Sequence, residues 1–235
     1  MVKISILLLL GVCFRLSAQN VGLTRSIDSS AVEYMRIVGN QSALYYGREQ
    51  EGHSRVLNHP YLIDEQHANA RLSYNQIIYP EALLRLDMNR DELVVLSPDG
   101  RNIVLFSEKF DYAYLHDSHI VYLRNNGQPD CPSSGYYTLL HSGSCEVLKK
   151  QTATLLRTST GSRIENSFYF STNFYLNKDG VYHTIRNRRR FLKIFQPYRN
   201  ELKRFASSNQ LRFRRDTENF IVKTVSEYEK LSNSL

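Results

Sequence analysis

Between Tyr61 and Arg124 apolar and polar residues alternate in short runs broken by turn residues, the pattern of half-buried strands. Runs at 70–74, 82–87, 92–96, 102–106, 112–115 and 120–123 predict six strands, and Ser42 to Gly47 predicts one before them. The clearest hairpin joins Leu93-Val94-Val95-Leu96 to Ile103-Val104-Leu105-Phe106 through Ser97-Pro98-Asp99-Gly100, because Asp-Gly supplies the positive φ of a tight turn. Two later segments share the design. One turns at Ser142-Gly143 between 136–140 and Val147-Leu148; the other turns at Asp179-Gly180 between 174–176 and Val181-Tyr182. Their unequal spacing predicts successive hairpins of one antiparallel sheet rather than propeller blades. Asn125 to Ser134 reads as a long loop, and the polar stretch from Thr158 to Asn166 as a separator before Phe168-Tyr169-Phe170.

After Ile185 the period becomes helical. Phe191, Phe195, Tyr198, Leu202 and Phe205 fall on one helical face, with Asn187 as N-cap and Pro197 dividing the segment in two. Asp216 caps a last helix whose Phe220, Ile221, Thr224, Val225, Tyr228 and Leu231 form a stripe. The expected fold is therefore α+β. An antiparallel body of about eight to ten strands spans 42–185, two or three helices spanning 187–231 pack on it, and 42–235 forms a single domain.

Ahead of that domain, Lys3, the apolar run from Ile4 to Phe14 and Leu16-Ser17-Ala18 predict a signal peptide over 1–18. The run is too short to span a bilayer, which takes roughly 20 apolar residues. Residues 19–41 read as a flexible lead-in, with a short helix at 32–38. Cleavage would remove Cys13 and leave Cys131 and Cys145 in a compartment where a disulfide persists. A bridge between them would close a loop worth roughly 3 kcal/mol in the chain-entropy model; the alternative is two packed thiols. Sixteen Tyr and eleven Phe offset the absence of Trp as core material.

Charge is local. From Arg186 to Arg215 there are eleven Lys or Arg against one acid, Glu201, a net +10; subtracted from the chain's +7 this leaves −3 elsewhere. Arg188, Arg189, Arg190, Lys193, Arg199, Lys203 and Arg204 crowd the polar side of the helical segment, where like charges three or four apart repel. Such a patch is either a solvated face or a site for an anion. In an exported, peripheral protein the anions at hand are lipid headgroups, lipopolysaccharide and acidic envelope proteins, and nucleic acid is not among them.

Catalytic patterns are weak. His116-Asp117-Ser118-His119 carries metal-ligating types but sits between strands as a turn. Asp87-x-Asn89-x-Asp91 opens like a calcium loop, yet Glu92 stands where that loop needs Gly and Pro98 where it needs Glu. Nucleophile-elbow, zincin, phosphate-loop and dinucleotide motifs are absent from the sequence, and no cofactor is expected. Carboxylates such as Glu81, Asp87, Asp91 and Glu92 could still assemble in space, as in glycoside hydrolases.

In order along the chain, SALYYGREQ, HPYL, LRLDMNRDELVVLSPDGRNIVL, GYYTLLHSG, FYLNKDGVYHTIRNRRRFLKIF and NELKRF followed by LRFRRDTENFIVKTVSEYEKL resemble a family of small exported proteins of Bacteroidota of unknown function, over roughly 40–232. The resemblance implies an envelope location, periplasmic or at the outer membrane, and one β-then-α module. It brings no catalytic residue. The expected function is a non-catalytic binding or structural module of the cell envelope; the alternative is a secreted hydrolase of envelope or extracellular carbohydrate.

Overall fold

The computed structural model describes residues 43–125, 127, 131–160 and 163–233. The signal peptide, most of the lead-in and the helix expected at 32–38 lie outside the described residues. The body is one eleven-stranded antiparallel sheet followed by three helices, the α+β arrangement expected from the change of period. Its strands are β1 (Arg48–Glu49), β2 (Ala68–Tyr74), β3 (Ile77–Asp87), β4 (Glu92–Leu96), β5 (Asn102–Val104), β6 (Phe110–Leu115), β7 (Ser118–Leu123), β8 (Gly135–Ser142), β9 (Cys145–Thr160), β10 (Arg163–Lys178) and β11 (Val181–Ile185). The helices are α1 (Arg188–Ile194), α2 (Arg199–Ser208) and α3 (Thr217–Ser232).

Strand order is β1-β5-β4-β3-β2-β6-β7-β8-β9-β10-β11. Two meanders thus run outward from the β2–β6 pair, and β1 closes the far side of β5 through Arg48 opposite Val104. The turns follow the sequence chemistry. Gly100 has φ +86° and donates its N–H to the Ser97 carbonyl at 2.9 Å, while Asp179 and Gly180 both have positive φ between β10 and β11. Asn187 and Asp216 cap α1 and α3, their side chains accepting from the N–H groups of Arg190 and Asn219.

Two expectations change. The segment read as a strand from Ser42 is a single 3-10 turn at Ala43–Tyr45, because Leu44 is drawn wholly into the core; pairing starts only at Arg48. The stretch from Thr158 to Asn166, read as a separator, is instead the far end of one hairpin in which β9 and β10 pair without interruption from Cys145–Lys178 to Thr160–Arg163. Single-strand periodicity fails there because the run is rich in Thr and Ser.

Burial falls into two main clusters. One face of β2–β7 packs Leu72, Tyr74, Tyr79, Leu84, Leu93 and Phe110 around Leu44. The second sits between β9–β11 and the helices, where Val147 and Leu176 meet Phe191, Phe195, Leu202 and Phe220. Edge-on ring pairs lock it, Phe191 with Phe195 at 5.2 Å and Phe213 with Phe220 at 5.4 Å between centroids. Among the described residues no helix is long and apolar enough to cross a membrane.

Cys145 opens β9 with its side chain in this second cluster, fully buried, whereas Cys131 stays in the loop before β8. They stand as separate thiols in the structure, so the expected bridge is not formed in it. Burial, then the nearby Glu229 carboxylate, pushes the Cys145 thiol up from its ordinary value.

Glu229 fastens α3 to the β8–β9 turn. Its carboxylate accepts from the Cys145 N–H at 2.9 Å and the Ser144 hydroxyl at 3.0 Å, and meets His141 Nε2 at 2.9 Å. A side chain on Gly143 would collide with that carboxylate and push it out of these contacts. Burial raises the Glu229 pKa, but the Cys145, His141 and Ser144 hydrogen bonds outweigh it and hold the group below its ordinary 4.5. A carboxylate with a depressed folded-state pKa contributes stability above its unfolded value and loses it as pH falls through the folded one. Thermal melts from pH 6 to 3 are therefore expected to show wild type losing stability below about 4.5 more steeply than Glu229→Gln; parallel curves would refute this role.

Candidate anion-binding cleft

Ile185 ends β11 opposite Phe174, and the chain turns at once into α1, so Arg186, Arg188 and Arg189 emerge at the junction of sheet and helical layer. The connection from α2 to α3 returns Arg212, Arg214 and Arg215 to the same place. These six arginines line one open cleft of about 940 Å³, a size that accommodates a ligand of several hundred daltons. Asn187, Leu211 and Phe213 complete its lining, and no carboxylate does. All six guanidinium groups belong to exposed residues, and none forms an ion pair among the described residues. The Arg188 guanidinium lies 5.7 Å over the Phe220 ring, which steadies it without neutralising it.

The apolar side of the segment explains why repelling charges stay together. Phe191, Leu192, Phe195, Leu202 and Phe220 are buried beneath the cleft, and burying each is worth about 1.5–3 kcal/mol against a few tenths for each like-charge pair. Packing wins. A cleft rimmed by planar, permanently charged guanidinium groups suits bidentate recognition of phosphate or carboxylate.

Of the residues singled out from sequence, Arg188 and Arg189 join this cleft. Arg190, Lys193, Lys203 and Arg204 are exposed on α1 and α2 but do not line it, and Arg199 is half-buried with its Nε lacking a hydrogen-bond partner. Arg186, Arg212, Arg214 and Arg215 take their places. The usable signal was the charge run itself, which contains all four; helical spacing alone could not reveal that the 211–215 connection folds back onto Arg186.

Three of the four candidate carboxylates are engaged, each separately. Asp87, fully buried, accepts from Asn89 and Arg90 N–H on one oxygen and meets Gln50 Nε2 at 3.0 Å and His53 Nε2 at 2.6 Å on the other. Asp91 pairs with the buried Lys150 at 2.5 Å, and Glu92 with Arg48. Burial holds the Lys150 ammonium below its ordinary value although Asp91 opposes the shift. Glu81 is exposed. No group of three or more potential metal ligands is gathered among the described residues. His116 and Asp117 form the β6–β7 turn, with His116 at φ +50°, while His119 lies in β7 opposite Tyr114 and stacks on it at 4.4 Å.

Asp87 ties the 50–61 segment to the end of β3, with the His53 ring held edge-on to Phe168 at 5.1 Å. Asp87→Asn removes the charge facing four donors and is expected to destabilise by about 3 kcal/mol or more, as for other broken buried pairs. Asp117→Asn at the exposed turn should stay within about 0.5 kcal/mol. Urea melts measure both, and equal midpoints would contradict the assignment.

Compared with protein-family models, curated proteins and solved structures, the chain matches none.

Proposed function

We propose that this chain is a non-catalytic binding module of the cell envelope that holds phosphate-bearing headgroups of an anionic lipid surface in its arginine cleft. The carrying observation is the convergence of six exposed arginines on one cleft without a lining carboxylate. A solvated basic face needs no such convergence, because its charges gain by spreading. The signal peptide expected at 1–18 supports a location outside the cytoplasm, with peripheral attachment through surface charge. Lipopolysaccharide phosphates offer the same chemistry as phospholipid headgroups. The separate engagement of Asp87, Asp91 and Glu92 favours binding over glycoside hydrolysis, which needs two carboxylates facing one bond.

Co-sedimentation with vesicles tests the reading. Wild-type protein is expected to pellet with phosphatidylglycerol-containing vesicles and not with phosphatidylcholine vesicles, and to dissociate as salt shortens the Debye length from about 10 Å at 0.1 M to 3 Å at 1 M. Replacing Arg189, Arg212 and Arg214 with Gln removes roughly 1 kcal/mol each, about a hundredfold in affinity together. Equal binding to both vesicle types, or to neither at low salt, rejects the proposal.

A further inference from the structure

The distal half of the β9–β10 hairpin has no place in the anion cleft, and its surface is unusual for a soluble sheet. Thr154 to Ser159 are exposed without exception, so neither face of β9 is covered there. The partner of β9 on its other side, β8, stops pairing at Lys149, and beyond the Ala153 contact with Met88 the outer edge of β9 has no strand beside it among the described residues. On this arm Leu155, Leu156, Ile164, Tyr169 and Phe170 are between 45% and 62% exposed. Leu155 and Leu156 point to opposite faces, so exposed apolar groups project from both; Phe168, across from Leu155, is itself buried against Met88 and Ala153.

From these features we infer that the arm lies in the interfacial layer of an anionic membrane, beside the headgroups that the arginine cleft holds; the inference rests on the lipid reading of that cleft. Three observations select a lipid surface as the occupant. First, the arm and the cleft are joined through β10: Ile185 opposes Phe174, so Arg186 leaves the sheet four residues, roughly 13 Å, along β10 from Phe170, the nearest exposed residue of the arm. Second, the residues are those of a membrane boundary, with Tyr169 and Phe170 as amphipathic or aromatic anchors and Thr and Ser between them. Third, the open edge sets the depth. Unpaired backbone groups are not tolerated in hydrocarbon, which rules out spanning, but at the boundary water and headgroups satisfy them while side chains reach about 5–10 Å inward.

The chain contains no Trp, so Leu156→Trp creates a single fluorescent reporter on one face and Tyr169→Trp, should the first variant fold poorly, supplies another at an exposed position. With phosphatidylglycerol-containing vesicles the emission is expected to shift to shorter wavelength and to be quenched by lipids brominated near the headgroup end of the acyl chain. Leu155→Asp combined with Leu156→Asp, with an unchanged melting temperature, should weaken vesicle binding by about tenfold or more. Co-sedimentation without any emission change overturns the arm and leaves the arginine cleft standing. No co-sedimentation overturns both. An emission shift without vesicles that grows with protein concentration, with a dimer mass by light scattering, assigns the arm to a second copy and rejects the inference.

Discussion

The pairing of β9 with β10, sixteen residues on each strand, is the constraint on which the other parts depend. One end of this ribbon carries Val147 and Leu176 into the helical core. Its middle holds Lys150 against Asp91 and Ala153 against Met88, joining the ribbon to the β3–β4 turn of the other meander. Its far end is the uncovered arm. A strand pair normally draws stability from covered faces, but here unbroken backbone pairing and the anchored base carry the uncovered rows. The helices, the buried polar contacts and the arm are therefore successive zones along one element.

The helical layer shows how apolar packing permits a concentration of charge. Phe191, Phe195 and Phe220 fix α1 and α3 from beneath, leaving the arginines little freedom to separate. Electrostatic repulsion is kept in the folded state. The same division recurs at Asp87, where burial is compatible with charge only because four donors surround it.

Local chemistry was legible wherever one residue type determines a conformation. Asp99-Gly100, Asp179-Gly180, Asn187 and Asp216 mark turns and caps that the structure contains, and the stripe from Phe220 to Tyr228 belongs to one helix. What sequence did not disclose depends on partners distant in the chain. Thr152 hydrogen-bonds Ser171 across the ribbon at 2.7 Å, yet neither residue announces a strand sixteen residues long. His53 reaches Asp87 across a separation of 34 residues, and Arg212 reaches the neighbourhood of Arg186 only after two helices have folded back. Cys131 and Cys145 flank a hairpin in sequence, but strand alternation sends Cys145 into the helical core.

The strand order also bears on how the sheet assembles. Apart from β1 with β5 and β2 with β6, every neighbouring pair is consecutive in the chain, so loop closure is short almost everywhere. Growth can start in either meander and spread outward, with β2 as the seam where the two meet. The two-residue β1 must wait: Arg48 pairs with Val104 in β5, and the chain between β1 and β5 forms three strands first. The first strand to leave a ribosome is thus the last of its wing to find a neighbour, and its opening would leave the remaining ten strands paired.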